Sequence, residues 1–224
     1  MFLQAFLKRT AAAVEHEKLL QSLKCNYVVD IGANRGQFAL VARDNFQRAK
    51  IVSFEPVKEP AIIFRRVFNS DSLVVLHEFA IGRSESSSII HISRADDSSS
   101  LLPITPLQNK LFPGTDEKEV RIIQVKPLYA VLDAGEIEKP ALLKVDVQGF
   151  EKQALEGCRA LLHMFSYVYV ECSFVELYAG QSLVSEVISF LSEFGFVLSG
   201  VYNLCYDKQR KAIQGDFLFE KKSP

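Results

Sequence analysis

The stretch Tyr27-Val28-Val29-Asp30-Ile31-Gly32-Ala33-Asn34-Arg35-Gly36-Gln37-Phe38 decides the fold. Its first five residues form a short apolar, largely β-branched run that reads as a buried strand, and Gly32 ends it. From Gln37 the apolar residues recur at helical spacing as far as Phe46. Strand, glycine turn and helix in that order open a parallel α/β unit, and the same alternation continues along the chain. Lys50–Phe54 reads as a second strand, residues 59–69 as a helix and residues 73–79 as a third strand. Ala141–Val145 is a fourth, followed by a helix over residues 150–164. Residues 167–170 form a fifth strand and residues 183–194 a helix. Strands at residues 196–201 and 217–220 close the chain. Several of these strands are apolar on both faces, which predicts a doubly wound, mostly parallel sheet with helices on both sides.

The alternation is interrupted between residues 89 and 125. Strand-like pieces at residues 88–92 and 120–125 flank the polar run Arg94-Ala95-Asp96-Asp97-Ser98-Ser99-Ser100, which leads to Pro103, Pro106 and Pro113-Gly114. So long a connection, rich in turn formers, predicts a lid-like insertion over residues 94–114. Residues 2–23 read as an amphipathic helix packed on the body. The expected division is an N-terminal helical segment, residues 1–24, and one domain over residues 25–224.

The 224 residues are 48% hydrophobic and 24% charged, which excludes a disordered or collagen-like chain. Against 27 acidic residues stand 26 basic ones, a formal net charge of −1. That balance supplies no bulk field for nucleic acid or anionic lipid, so a small-molecule or glycan partner is expected and nucleic acid is not. Cys25, Cys158, Cys172 and Cys205 form no C-x-x-C pair, so neither a zinc knuckle nor a dithiol motif is written here. They read as reduced thiols of a cytoplasmic protein. Lys8 and Arg9 follow the first apolar stretch instead of preceding it, unlike a secretory leader. No run approaches the ~20 apolar residues that span a bilayer.

In an open parallel sheet, ligands lie beyond the carboxyl ends of the strands. Asp30, Glu55 and Asp146 stand at such ends, and Glu55 follows Asp30 by 25 residues. That is close to the ~20-residue spacing at which an acidic residue accepts both hydroxyls of a ribose. The turn discriminates between nucleoside cofactors. A dinucleotide fingerprint needs G-x-G-x-x-G so that backbone can approach a pyrophosphate, yet Asn34 and Gln37 occupy its second and third glycine positions. S-adenosylmethionine has no pyrophosphate, and its ammonium and sulfonium suit a pocket flanked by Asp30 and Asp146. Adenosylmethionine is therefore favoured over NAD.

These residues resemble a known family. The segment from Val29 to Phe38 and Ser53-Phe54-Glu55-Pro56 resemble the first two motifs of the FkbM-type methyltransferases. Later motifs are similar in Ala80-Ile81-Gly82, in Ser98-Ser99-Ser100-Leu101, and in Leu143-Lys144-Val145-Asp146-Val147-Gln148-Gly149-Phe150-Glu151. Val170-Glu171 and Gly195-Phe196 continue the order, so the resemblance covers roughly residues 26–220. One position departs from the pattern: residue 148 is Gln where the family motif usually has Glu. The resemblance implies a class I methyltransferase (Rossmann-like) sheet with an antiparallel last strand, residues 202–216 forming the hairpin loop before it. It also implies adenosylmethionine-dependent O-methyl transfer to a hydroxyl of a sugar, glycolipid or related metabolite. Other acceptors (a lipid, a polyketide or a protein side chain) and a non-catalytic adenosylmethionine-binding module are the alternatives.

By that resemblance Glu55 holds the ribose. Gly32, Asn34, Gly36, Gln37 and Phe38 cradle the methionine moiety, and Ala80 lines the adenine. Asp30 either touches the cofactor or accepts backbone N–H groups of the turn. An alcohol acceptor benefits from a base. Asp146 is the first candidate, its alternative being to hold the cofactor amine, and Lys144 shares a strand face with it. Glu171 is the second candidate, its alternative being a hydrogen bond to backbone. Glu151 is expected to stabilise the first turn of its helix. No metal is expected, since no histidine-based ligand spacing occurs. His77 reads as structural and His91, beside the lid, as the one histidine to test. Tyr178 and Tyr202 are candidates for an acceptor pocket.

Overall fold

The computed structural model describes residues 10–222. A seven-stranded sheet in the order β3-β2-β1-β7-β8-β10-β9 forms its centre. The strands are β1 (Tyr27–Ile31), β2 (Lys50–Phe54), β3 (Val74–His77), β7 (Ala141–Val145), β8 (Tyr167–Ser173), β9 (Phe196–Tyr206) and β10 (Ala212–Lys221). Pairing from β3 through β8 is parallel, and β10 runs antiparallel to both of its neighbours. The doubly wound sheet with an antiparallel last strand is the architecture expected from the sequence.

Alternation along β1 shows how the sheet is covered twice. Tyr27, Val29 and Ile31 enter one core with Leu143, Val145, Val168 and Val170. The helices α5 (Glu151–Gly157) and α6 (Val184–Glu193) cover that side through Leu155, Val187 and Leu191. Val28 points to the other face, where Leu142 and Leu218 pack with α1 (Glu17–Ser22), α2 (Gln37–Asn45) and α3 (Lys58–Val67) through Leu20, Leu40 and Phe64. Each face removes a contiguous apolar surface from water, at about 25 cal/mol per Å².

The interrupted stretch belongs to a second, three-stranded sheet of β4 (Ala80–Ile81), β6 (Glu117–Lys126) and β5 (Ser86–Ser93). The strand-like pieces seen in the sequence are thus partners, β5 and β6 being antiparallel with Ile89 opposite Ile122. Residues 94–114, between them, contain a 3-10 turn (Asp96–Ser98) and α4 (Pro106–Leu111). His91 and Ser100 exchange backbone hydrogen bonds across this excursion, and Thr105 N–H donates to the Leu177 carbonyl.

Three sequence expectations need correction. The helix over residues 150–164 is two pieces, α5 and a 3-10 helix from Arg159 to Met164, because the chain tightens at Gly157 where it meets the backbone of Gly82. Residues 202–216 are not a hairpin loop: β9 and β10 run on to Tyr206 and back from Ala212. The turn is residues 207–211, held by Asp207, whose Oδ1 accepts from the amides of Gln209 and Lys211. Polar residues on the partly exposed edge strand imitate a loop composition. Of the helix expected over residues 2–23, residues 2–9 lie outside the described residues. The remainder is a 3-10 turn (Val14–His16) followed by α1.

Gly32 fixes how β1 hands over to α2. Its φ is +82°, and a Cβ there would lie 1.8 Å from the Asp146 carbonyl oxygen. Gly180 has a similar φ of +78° with nothing within 4 Å of such a Cβ. Gly180→Ala should cost about 1–2 kcal/mol of stability in a urea titration, the left-handed backbone penalty alone. Gly32→Ala should cost at least ~3 kcal/mol, because the backbones of β1 and β7 must separate. Equal losses at the two positions would contradict this account.

Candidate active site at the carboxyl edge of the sheet

The turns that follow β1, β2 and β7 meet at one edge of the sheet. The amides of Gly32 and Ala33 donate to the Phe54 carbonyl at the end of β2, each at 3.0 Å. The Asp146 amide donates to the Ile31 carbonyl at 3.1 Å. Two buried glutamates then tie the turns. Glu55 accepts from the Asn34 amide at 2.9 Å and the Val57 amide at 2.7 Å, one on each oxygen. Glu151 accepts from the amides of Val147 at 3.2 Å and Gly149 at 2.9 Å on a single oxygen. Removal from water pushes both carboxyls up to about 7, against the pull of these amides.

A cavity of about 410 Å³ opens over this edge, within the usual range for a small-molecule site. Gly32, Asn34, Gln37, Phe38, Glu55, Ala80 and Asp146 all line it. Asp97, Ser99 and Leu101 bound it from the excursion, and Ala11, Glu15 and His16 from the N-terminal segment. Asp30, Gly36 and Glu171 lie outside the lining, as do Tyr178 and Tyr202. Gly36 is the N-cap of α2 and packs on Phe64 and Phe68, whereas Asp30 lies beneath the floor with no exposed surface.

That floor is an ion cluster. Lys144 is opposite Asp30 in the sheet and two residues before Asp146. Its ammonium lies 3.4 Å from Asp30 Oδ1 and 3.4 Å from Asp146 Oδ2, over the Phe38 ring. Burial disfavours this ammonium, but Asp146 and Asp30 outweigh it and hold its pKa above the ordinary lysine value. Burial raises the Asp30 carboxyl, and Lys144 opposes the rise.

Beyond Asp146 the edge continues toward β8. Gln148, at φ +52°, donates both Nε2 hydrogens, to Asp146 Oδ1 at 2.8 Å and to Glu171 Oε2 at 2.8 Å. Its Oε1 accepts from the Tyr178 hydroxyl at 2.9 Å, and Gln214 Nε2 donates to Glu171 Oε1 at 3.1 Å. Glu171 therefore meets side-chain amides, not backbone. Its carboxyl is pushed well up by loss of water, and by Asp146 and Asp216 nearby. Tyr178 is buried, and the Ser98 carbonyl, 3.1 Å from its hydroxyl, shares that one proton with Gln148, joining the excursion to the Gln148 network.

His77 falls as the sequence reading has it, whereas His91 and His16 do not. His77 stacks on Phe54, 5.2 Å between centroids, in a structural position. His91 pairs with Glu117 on the small sheet and does not line the cavity. His16, given no role in the sequence, does line it. Lys144, Gln148, Asp97 and Asp216 are further polar groups whose parts emerge only here. Alternation did place Lys144 beside Asp146, but no local signal brings His16 to Asp216.

The strand order, the single antiparallel strand and the cavity above the β1 turn define a class I, Rossmann-like methyltransferase architecture. The model of the methyltransferase FkbM domain matches residues 30–198, and the chain belongs to that family, whose cofactor is adenosylmethionine. The "Methyltransferase sdnD" of Sordaria araneosa is 29% identical over 157 residues, which cover 58% of this chain and 60% of that protein. The FkbM methyltransferase structure from Methylobacillus flagellatus KT aligns at a TM-score of 0.56 and 15% identity, over 88% of this chain and 45% of that one. M. capricolum TrmK, solved with S-adenosyl-homocysteine, aligns at 0.51 and 10% identity, over 92% of this chain and 68% of that one. The chain thus spans about three-fifths of the curated relative and under half of the FkbM structure. Among the described residues no helix is long and apolar enough to cross a membrane, and no group of three or more His, Cys, Asp or Glu side chains is placed to hold a metal ion.

Lys144→Met leaves two carboxylates without their shared cation and should cost about 3–5 kcal/mol in denaturant unfolding. Adding Asp30→Asn should recover more than half of that loss. If the double variant is as unstable as the single one, Lys144 matters for packing alone.

Proposed function

We propose that the protein is an adenosylmethionine-dependent O-methyltransferase acting on a hydroxyl of a sugar, glycolipid or related metabolite. The observation that carries the cofactor reading is the charge around the cavity. Asp30, Glu55, Asp146, Glu171 and Asp216 crowd about one buried ammonium, and four of the five have carboxyls raised toward the neutral form. A cationic ligand relieves that crowding, whereas a pyrophosphate adds to it.

Fit to the cofactor is local. Glu55 has one lone pair on each oxygen committed to an amide, so further acceptor positions remain for a ribose diol. Ala80, Ile81, Ile90 and Leu101 supply the apolar walls for an adenine. The N-terminus of α2, at Gln37 and Phe38, presents first-turn amides suited to the amino-acid carboxylate. Asp30 acts from beneath, by setting the charge and position of Lys144. Bound there, adenosylmethionine supplies an electrophilic methyl group. The chain's own part is to hold the acceptor hydroxyl in line and to exclude water, with residues 97–101 as the roof of a lid formed by residues 94–114. Asp146, with Glu171 behind it across Gln148, is the carboxylate proposed to meet the acceptor.

A neutral acceptor fits the formal net charge of −1 better than a polyanion does. The four free cysteines support a reducing, cytoplasmic setting. Residues 25–224 would then act as one catalytic domain behind the N-terminal segment.

Calorimetry tests the cofactor first: adenosylmethionine should bind and NAD should not, and the reverse result would sink the reading. Release of adenosylhomocysteine with a pool of methyl glycosides separates an enzyme from a binding module. Glu55→Ala should weaken cofactor binding by about 1.5–3 kcal/mol through lost charged hydrogen bonds. Ribose hydroxyls favour the charged carboxylate, so binding lowers the Glu55 pKa from about 7 and releases a proton. Affinity should therefore fall as the pH drops below about 7, and Glu55→Ala should flatten that dependence.

A further inference from the structure

We propose that His16 is the general base for the acceptor hydroxyl, held in register by Tyr169 and Asp216. The inference rests on the methyltransferase reading above and adds to it the group that removes the proton.

Both carboxylates at the acceptor end are already held. Asp146 has one oxygen on Lys144 and the other on Gln148. Glu171 has one on Gln148 and the other on Gln214. A base needs a lone pair facing the substrate, whereas Glu171 lies outside the cavity lining and Asp146 is tied to the buried ammonium. His16 meets the requirement. It lines the cavity, with only 13% of its side chain exposed, and its ring meets Phe38 and Tyr169 edge-on at 5.4 Å and 5.6 Å between centroids.

The groups around the ring define the proton arrangement that this role requires. His16 Nδ1 lies 3.0 Å from the Tyr169 hydroxyl, 3.3 Å from Asn203 Nδ2 and 3.6 Å from Asp216 Oδ2. Asn203 gives its short bond, 2.7 Å, to Asp216. The relay assigns the single Tyr169 hydroxyl proton to Asp216, the anionic acceptor, and directs the Asn203 Nδ2 hydrogens to Asp216 and away from Nδ1. The phenol oxygen is then free to accept from Nδ1–H. This chain, His16 to Tyr169 to Asp216, leaves Nε2 without a proton, and among the described residues the charged group beside it is Glu15, with Oε1 at 3.8 Å.

The backbone supports the arrangement. Asp216 is opposite Glu171 on β8 and Tyr202 on β9, between register shifts of the β9–β10 ladder that re-aim its side chain. Asn203 takes a left-handed φ of +48° to reach it. The family match ends at residue 198 and begins at residue 30. His16, Asn203 and Asp216 all lie outside it, so this device belongs to the flanks of the chain.

In the reaction the acceptor oxygen bonds to the methyl carbon, and the C–S electron pair stays on sulfur. The O–H electron pair stays on oxygen, while its proton passes to His16 Nε2. The imidazolium formed is stabilised through Tyr169 by Asp216. Among the described residues the charges facing it are Glu15, Asp216 and, beneath the floor, Asp30.

Two measurements test this. In the first, wild type and His16→Asn are compared for adenosylhomocysteine affinity and for turnover with a pool of methyl glycosides. Affinity should stay within about threefold and turnover should fall at least ~100-fold. Turnover within about threefold of wild type would overturn the proposal alone. Failure of the wild type to bind adenosylhomocysteine would overturn the parent reading and this one with it. Asp216→Asn, a positioning change, should lower turnover by about 10-fold and move the acid limb of its pH profile downward, since the imidazolium loses its counter-charge. An unmoved limb counts against the relay. The second measurement needs no acceptor: nitrogen NMR of His16 should show the Nδ1–H tautomer. Its Nε2 resonance should move on adding sinefungin, whose amine stands where the methyl would be, and not on adding adenosylhomocysteine. An Nε2–H tautomer, or equal responses to the two compounds, would overturn the assignment.

Discussion

One buried ammonium organises the carboxyl edge of this sheet. Lys144 lies in a register row that crosses five strands, Ser53, Asp30, Lys144, Tyr169 and Leu218 standing opposite one another in turn. Placing a lysine inside a parallel sheet is costly unless its charge is matched, and here two aspartates match it from both sides. Reciprocally, Asp30 can be fully buried only because the ammonium is present. The cluster dictates where the chain turns. Lys144 Nζ also donates to the Gly32 carbonyl at 3.4 Å, which binds the glycine turn to the same charge that orients Asp146. Floor and turn are therefore one electrostatic unit with an excess of negative charge toward the cavity.

That excess connects stability with ligand choice. Carboxyls raised by burial are poorly solvated in the free protein, so a cation arriving above them is favoured by relief as well as by attraction. Glu55 and Glu151 have a different origin: each is buried because it satisfies amides of a strand-end turn that has no other acceptor. The amides draw each glutamate inward, burial raises its carboxyl, and the raised carboxyl faces or adjoins the site. Structural need and ligand affinity thus act through the same side chains.

The sheet was legible because buried strands are short apolar runs and glycine turns are local. Glu55, Asp146 and the 32–38 turn were legible for the same reason: each stands at a strand end, and strand ends meet. Two kinds of feature were not. The length of β9 and β10 was hidden because Tyr202, Asn203 and Asp216 resemble turn residues, when they are polar members of a hairpin. The second kind is contact between distant segments. His16 and Asp216 are nearly the whole chain apart, and neither carries a local pattern that marks it. His91, adjacent to a polar loop, had the better local context, yet its ring is spent on Glu117.

Gln148 shows how a single departure from a family pattern acquires meaning from geometry. With a carboxylate at residue 148, Asp146 and Glu171 would face a third negative charge, and such a trio demands a cation or a proton. The amide instead satisfies both neighbours through two hydrogens of one nitrogen, while its oxygen takes the Tyr178 hydroxyl. The Ser98 carbonyl shares the same hydroxyl proton, so the neutral side chain that spaces the two acids also anchors the strand excursion above the cavity. Charge balance at the acceptor end and closure of the roof are thereby linked through one residue. A substitution that alters the first must disturb the second.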